Sequence, residues 1–176
     1  MQRKGRVSLP AALALLVASA APALAQEPIG RQADPADVGT IDGIVAAFYD
    51  VVSGPPGEPR QWERDATLYG PGTLFTIADS AGAYRNVTPA EFARETDGYL
   101  VESGFVEREI HRETRRFGRI AQVWSTYEWR TADGRTGRGI NGLQLVHDAG
   151  RWWITHATWD NETPDRPIPA EYLPDE

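Results

Sequence analysis

Hydrophobic and polar residues alternate through the C-terminal half of the chain in three consecutive runs, 119–131, 138–147 and 151–160. β-branched and aromatic residues dominate each run, and the turn segments 132–135 and 148–150 separate them. Runs of this composition, bounded by Asp-Gly and Ala-Gly, predict strands joined as an antiparallel meander. Because many of the residues are large and apolar, we expect other elements to cover one face of this sheet.

The segment before the meander carries helical patterns. Thr40 is a good N-cap for a helix whose apolar residues recur at i, i+3, i+4 and i+7 spacing. A second, shorter helix is predicted over 59–68. The sequence Thr88-Pro89-Ala90-Glu91 is a capping box with proline at the first helical position, and it predicts a third helix that ends at Gly104.

Further strands are predicted around the third helix. Residues 73–77 and 83–87 form a predicted hairpin before it. Residues 105–117 fit either a helix, since Glu and Arg are good helix formers, or a strand. We predict a strand because the run after Gly118 needs an antiparallel partner. One face of that strand is charged and is interpreted as a solvated surface: Glu107, Glu109, His111, Glu113 and Arg115.

The first 25 residues have the features of a secretory signal peptide. Basic residues precede an apolar run over 9–21, and Ala23-Leu24-Ala25 fits the small-x-small cleavage pattern. The alternative is a retained membrane anchor, but the run is shorter than the ~20 residues that a span needs. We therefore expect cleavage after Ala25, no membrane span afterwards, and a periplasmic or secreted protein.

The rest of the chain divides into three parts. Residues 26–39 are polar and are predicted to be a disordered lead, and residues 40–162 form the folded domain. Residues 163–176 are rich in proline and are predicted to form an extended arm that docks on its own sheet or on a partner subunit. The chain has no cysteine, so its core must stabilise it without disulfides.

The charge of the mature chain makes nucleic acid a poor partner. Cleavage after Ala25 removes three basic and no acidic residues from 18 and 25, which leaves 15 and 25 and a net charge of −10. An acidic domain of this kind also has little affinity for anionic membrane surfaces. The charge therefore makes both nucleic acid and anionic membrane surfaces poor candidates, and we expect no nucleic-acid partner.

The order of the predicted elements and the segments 117–128, 138–141, 150–154 and 167–169 resemble exported proteins of the NTF2-like (SnoaL-like) superfamily. The resemblance implies an α+β fold, a cone-shaped barrel in which a curved antiparallel sheet wraps around about three N-terminal helices. A pocket opens at one end of that cone. The superfamily includes isomerases, dehydratases, cyclases and binding or dimerisation modules, so the resemblance implies no single activity.

The resemblance to ketosteroid isomerases and SnoaL-type cyclases implies an acidic residue or a histidine as general base in an aromatic pocket. His156 is the main candidate because it shares a strand face with Trp152 and Ile154, and it faces the cavity if those two residues pack on the helices. Asp160, at the far end of the same face, is a further candidate catalytic residue. The alternative is a hydrogen-bonded core histidine without a chemical role. Glu128 is a candidate base if it points inward and a solvated carboxylate if it points outward. The candidate ligand-binding residues are Trp124, Tyr127, Asn141, Gln144 and Trp152.

The face that each candidate occupies depends on the turn at 148–150. A two-residue turn at Ala149-Gly150 pairs His156 with Leu143, whereas a three-residue turn pairs it with Gly142. The sequence leaves both registers open. The three histidines lack the spacing of a metal motif, so we expect no metal site, and no cofactor is implied.

Three functions fit these observations. The first is a pocket that binds a small, mostly apolar molecule. The second is a lyase or isomerase that uses His156 or a pocket carboxylate as general base. The third is a protein-interaction or dimerisation module, because an aromatic outer sheet face predicts a homodimer.

Overall fold

A computed structural model of the chain describes residues 32–78 and 83–175. The predicted signal peptide lies outside these residues. In the described part, the chain forms a curved, unclosed mixed sheet of six strands with helices packed on one face. The predicted α+β class is therefore confirmed.

The helices precede and interrupt the strands in chain order. They are α1 (Pro35–Val38), α2 (Ile41–Asp50), α3 (Trp62–Asp65) and α4 (Pro89–Ser103). The strands are β1 (Tyr69–Ala78), β2 (Tyr84–Val87), β3 (Val106–Phe117), β4 (Ile120–Arg130), β5 (Thr136–Asp148) and β6 (Arg151–Asn161). The spatial order is β2-β1-β6-β5-β4-β3. Adjacent strands are antiparallel except β1 and β6, which pair in parallel, so the sheet is mixed rather than wholly antiparallel.

Two helices begin at the predicted caps. The Thr40 hydroxyl accepts a hydrogen bond from the amide of Gly43 at 2.9 Å at the start of α2. Both bonds of the predicted capping box form at Thr88 and Glu91, and Gly104 ends α4 in the left-handed region with φ of 61°. The second predicted helix is reduced to the single turn of α3.

The prediction of a disordered lead is wrong over its described second half. Asp34 caps α1 by accepting a hydrogen bond from the amide of Ala36 at 2.9 Å. Asp37 and Val38 are buried, and Asp37 forms an ion pair with Arg64 of α3. Val38 joins the core, which gives this segment an apolar reason to be ordered.

The C-terminal arm docks on the outer face of the sheet, the face away from the helices. Its Ile168 is buried, and the hydroxyl of Thr126 donates to the carbonyl oxygen of Tyr172 at 2.6 Å. The ring of Tyr172 packs edge-on against Trp124, with centroids 6.1 Å apart. The arm therefore covers part of its own sheet, one of the two predicted alternatives.

Two β-bulges change which side chains face the helices. The turn before β6 has two residues, Ala149 and Gly150, both with positive φ. Beyond it, Thr155 is an extra residue, so that Ile154 pairs with Leu145 while His156 pairs with Gln144. A second bulge in β3 adds Ile110. Each bulge reverses the in-and-out alternation along the rest of its strand.

Among the residues that the structure describes, no helix has the length and apolar character needed to cross a bilayer.

Candidate functional site

A cavity of about 420 Å³ lies between the inner face of the sheet and the helices. Nine aromatic side chains from α2, α4 and four strands or their flanks line it. They are Phe48, Tyr69, Phe75, Phe92, Tyr99, Phe105, Tyr127, Trp129 and Trp159. This volume and this apolar lining are typical of sites for small organic molecules.

Two glycines of β5 make room at this end of the sheet. Gly137 and Gly139 share the inner face with Asn141, Leu143 and Leu145. A Cβ atom at Gly137 would lie 2.6 Å from the indole of Trp129, and one at Gly139 would meet the phenol of Tyr127. The missing side chains let both rings lie across β5. At the other end, the buried side chains of Leu143 and Leu145 fill the equivalent space, so the cavity forms at the glycine end.

Two carboxyl groups lie in the cavity wall. Burial raises the pKa of Glu107 to about 7, against the opposing effect of a hydrogen bond from Asn141. Burial also raises the pKa of Asp65 to about 7, although the hydroxyl of Tyr69 donates to this carboxylate at 2.6 Å. Asp65 is 4% exposed, whereas Glu107 is surrounded by protein but keeps some accessible surface in the cavity. Both groups can therefore exchange a proton near neutral pH.

A chain of hydrogen bonds runs from Glu107 into the protein. The amide nitrogen of Asn141 donates to the Glu107 carboxylate at 3.4 Å and to the hydroxyl of Tyr49 at 3.1 Å. The Tyr49 and Ser125 hydroxyl oxygens lie 2.6 Å apart, and Ser125 donates to Glu109 at 2.5 Å. Burial raises the pKa of Tyr49, which keeps its hydroxyl protonated as a donor. The chain fixes the orientation of Asn141 beside Glu107.

Glu109 connects this chain to the protein surface. Its two carboxylate oxygens accept hydrogen bonds from Arg112 at 2.8 and 2.6 Å. Arg112 also pairs with the exposed carboxylate of Asp42 at 2.6 Å. Glu109 thus has a cationic partner, whereas none of the described residues provides one for Glu107.

The interpretation of the charged face of 105–117 as a solvated surface is wrong for its first two glutamates. In the register set by the β3–β4 turn alone, Glu109 would pair with Glu128 and point outward. The bulge at Ile110 instead pairs Glu109 with Tyr127 and Glu107 with Trp129, both on the inner face. Beyond the bulge, the remaining charged residues on that list, His111, Glu113 and Arg115, lie on the outer face.

The rim of the cavity carries an ion pair. Arg138 donates to both oxygens of Glu162, at 2.8 and 3.1 Å. The same carboxylate accepts a hydrogen bond from the backbone amide of Ile168 at 3.0 Å. This pair therefore connects the rim to the C-terminal arm.

Three of the predicted site residues lie on the inner face. Tyr127 and Asn141 line the cavity, and the Tyr127 hydroxyl donates to Asn161 at 3.0 Å. Trp152 is also inward and buried, but it lies at the filled end, where it contacts His147 and Arg116. Trp152 does not line the cavity.

The predicted inward orientation of His156 is wrong. The bulge at Thr155 places His156 on the outer face, opposite Gln144, and turns Ala157 and Trp159 inward instead. Trp124 and Gln144 lie with His156 in an outer groove of about 430 Å³. The sheet separates these three residues from the inner cavity.

The two predicted acidic residues also point outward. Glu128 accepts a hydrogen bond from Arg108 at 2.7 Å and has a solvated side chain. Asp160 forms an exposed ion pair with Arg166 at 3.0 Å. Both side chains are solvated and paired with arginine, so neither has the partly desolvated environment that a general base in an apolar pocket needs.

The histidines are not gathered around a common point. His147 packs against Trp152, with ring centroids 5.1 Å apart, and His111 and His156 lie on β3 and β6. Over residues 32–78 and 83–175, no group of three or more His, Asp or Glu side chains is placed to hold a metal ion.

Comparison with known proteins identifies the fold. No family model matches the sequence, and no curated protein matches it. A protein with a cystatin-like fold from Nostoc punctiforme superposes with a TM-score of 0.56 at 12% identity, covering 70% of this chain and 90% of that one. An NTF-2 like protein from Silicibacter pomeroyi gives 0.50 at 15% identity, covering 69% and 92%. The CaMKII hub of S. rosetta gives 0.53 at 18% identity, covering 75% and 100%. The chain thus has the NTF2-like fold that its sequence predicted.

Proposed function

We propose that the inner cavity binds a small, mostly apolar molecule that presents a polar group to Glu107 and Asn141. The observation that supports this most directly is the aromatic lining of the cavity, into which these polar groups are set. An aromatic wall gains free energy when an apolar ligand displaces water, and the few polar groups fix the orientation of that ligand.

Binding of an apolar fluorescent probe tests this proposal. Nile red should bind the purified chain, and Val52→Trp, which adds bulk to the cavity wall, should weaken binding about tenfold. Val146→Trp is the matched control because Val146 lies on the outer face of β5. Equal binding by the two variants would contradict a site in the inner cavity.

The two carboxyl groups support a second candidate, proton transfer by a lyase or isomerase. A carboxyl with a pKa of about 7 in an apolar site is suited to general acid–base catalysis. In this scheme Glu107 or Asp65 is the pocket carboxylate that acts as general base, in place of His156. A cyclic β,γ-enone offers a direct assay, because migration of its double bond produces the ultraviolet absorbance of the conjugated enone.

The proton-transfer function predicts which substitutions lower the reaction rate. Glu107→Gln or Asp65→Asn should lower the rate about 10²–10⁴-fold, whereas His156→Gln should leave it unchanged. Equal rates in wild type and both carboxyl variants would exclude this chemistry for the enone.

We also infer that the chain self-associates through its outer face. Phe117, Ile120 and Trp124 are 84%, 51% and 43% exposed and lie on the outer face of the β3–β4 hairpin. Exposed apolar residues in such a group favour an interface, and one protein of the same fold is the CaMKII hub of S. rosetta.

Sedimentation equilibrium should give a dimer for the wild type and a monomer for the double variant Phe117→Ser/Ile120→Ser. Tyr84→Ser, a change at another exposed aromatic residue, should stay dimeric, and a monomeric wild type at micromolar concentration would contradict the inference.

Export is proposed from the sequence pattern of residues 1–25. Mass measurement of the protein recovered from a bacterial periplasm should show a chain that begins at Gln26. An unprocessed chain retained in the cytoplasm would contradict export.

A further inference from the structure

The charged groups of the cavity are unequally paired. Arg138 at the rim is bound to Glu162. Asp65 and Glu107 have neutral partners, the hydroxyl of Tyr69 and the amide of Asn141. In the part of the chain that the structure describes, neither carboxylate forms an ion pair with Arg, Lys or His. The cavity therefore has an excess of negative charge when these two groups ionise.

Glu107 is placed beside aromatic rings. It is the direct cross-strand partner of Trp129 on the inner face, and the Trp129 indole stacks on Phe105 with centroids 6.0 Å apart. Directly paired residues on one face of a sheet have Cβ atoms about 5 Å apart, so the carboxylate and the indole adjoin the same space. Burial raises the pKa of the Tyr127 phenol, and the nearby charge of Glu107 raises it further.

Rings and an unpaired carboxylate favour the same kind of ligand. The face of an aromatic ring is electron-rich and attracts a cation, most strongly where water is excluded. A buried carboxylate gains from the same cation, because pairing offsets the cost of its desolvation. An anionic ligand group would be repelled by Glu107, and a purely apolar ligand would leave its carboxylate without a cationic partner.

We propose that the cavity selects an organic cation, a protonated or quaternary amine on an apolar body, with Glu107 as its counterion. This inference rests on the proposed ligand-binding function and names the class of ligand. The ammonium group lies against Trp129 and Glu107, and the apolar body occupies the remaining aromatic wall. Asp65 adds to the negative field of the cavity from α3.

The proposal predicts a coupling between binding and proton release. Below pH 7 the Glu107 carboxyl is largely protonated, and a bound cation favours its ionised form. Affinity for a permanent cation should therefore rise between pH 5 and pH 8. Binding near neutral pH should release a proton, which calorimetry in two buffers of different ionisation enthalpy detects.

The test compares two probes of nearly identical shape. Benzyltrimethylammonium is a permanent cation, and 2,2-dimethylpropylbenzene replaces its nitrogen with carbon. Each probe is titrated against Nile red bound to the purified full chain at pH 8. We expect the cation to bind about tenfold more tightly than its neutral isostere, and this preference to disappear in Glu107→Gln. Glu113→Gln, on the outer face of the same strand, should keep it.

The outcomes separate the two proposals. If the neutral isostere binds as well as the cation in the wild type, the cation inference is overturned while the ligand-binding function stands. A preference that persists in Glu107→Gln overturns the role of Glu107. If neither probe nor Nile red binds, the proposed function itself fails. Should Glu107→Gln not fold, the pH dependence of the two probes on the wild type decides the question, because only the cation should gain affinity from pH 5 to pH 8.

Discussion

At the scale of single residues, the buried carboxyl of Glu107 makes the stability of the fold depend on pH. Its pKa rises from the ordinary 4.5 to about 7 on folding, so the folded protein binds this proton more tightly than the unfolded chain. The contribution of this bound proton to the free energy of unfolding is fully present below about pH 4.5 and is lost as the pH rises through 7. Asp65 acts in the same direction, since its pKa rises from 3.8 to about 7.

Glu107→Gln should therefore become more stable than the wild type as the pH rises. Relative to pH 4, we expect a gain in the free energy of unfolding of about 3 kcal/mol at pH 8, since one pKa unit corresponds to about 1.4 kcal/mol. Urea denaturation at both pH values measures it. Glu102→Gln, at an exposed position of α4, is the control. A difference between Glu107→Gln and wild type that does not change with pH would contradict the burial of an ionisable Glu107.

Tyr49 is the residue on which the buried polar chain depends. Tyr49→Phe removes the acceptor of the Asn141 amide and a partner of Ser125. We expect a loss of about 1–3 kcal/mol in the free energy of unfolding, because buried polar groups are left unpaired. The same change at Tyr84, which is 71% exposed, should have almost no effect. Equal stability of the two variants in chemical denaturation would argue against the chain of bonds.

At the scale of elements, α4 combines a local signal with a role in the cavity. It carries Phe92, Tyr99 and Leu100 to the wall. Thr88→Ala removes the hydroxyl of its capping box and should lower the free energy of unfolding by about 1 kcal/mol, whereas Thr88→Ser keeps the acceptor and should lose little. Thermal or urea denaturation of both variants measures the difference. Identical losses would show that the cap contributes nothing.

The elements that could be predicted from the sequence are those with local signals. The capping box at Thr88 defines the start of α4, and alternation with turn residues defines β4, β5 and β6 to within a few residues. The bulges at Ile110 and Thr155 have no such signal, because an extra residue in a strand is favoured by packing across the whole sheet. Their consequence is large. The extra residue in β3 turns Glu107 toward the helices, and the extra residue in β6 turns His156 away from them.

The candidate site was predictable to the same limited extent. Tyr127 and Asn141 lie on strands without a bulge and do line the cavity. Asp65 gave no sequence signal, because a carboxylate on a short polar helix is normally solvated. Its burial depends on Tyr69 and on neighbours that are distant in sequence.

At the scale of the whole molecule, the C-terminal arm is part of the fold. Truncation after Asp165 removes Ile168 and Tyr172 and uncovers Trp124 and Thr126. We expect the far-ultraviolet circular dichroism to be retained and the free energy of unfolding to fall by about 2 kcal/mol. Truncation after Pro174 keeps these contacts and is the control. If both truncated chains are as stable as the wild type, the arm does not contribute to the fold.

The parallel pairing of β1 with β6 has a consequence for the order of folding. β6 is the last of the strands in the described residues, and it lies between β1 and β5. Contacts such as the hydrogen bond from the Thr73 hydroxyl to the carbonyl of Ile154, 2.8 Å long, join residues 81 positions apart. Such non-local pairing slows folding, because the entropy of closing a long loop is lost before the stabilising contacts form. A chain emerging from the ribosome cannot complete this sheet until β6 has been synthesised, and the proposed export would act on such an incompletely folded chain.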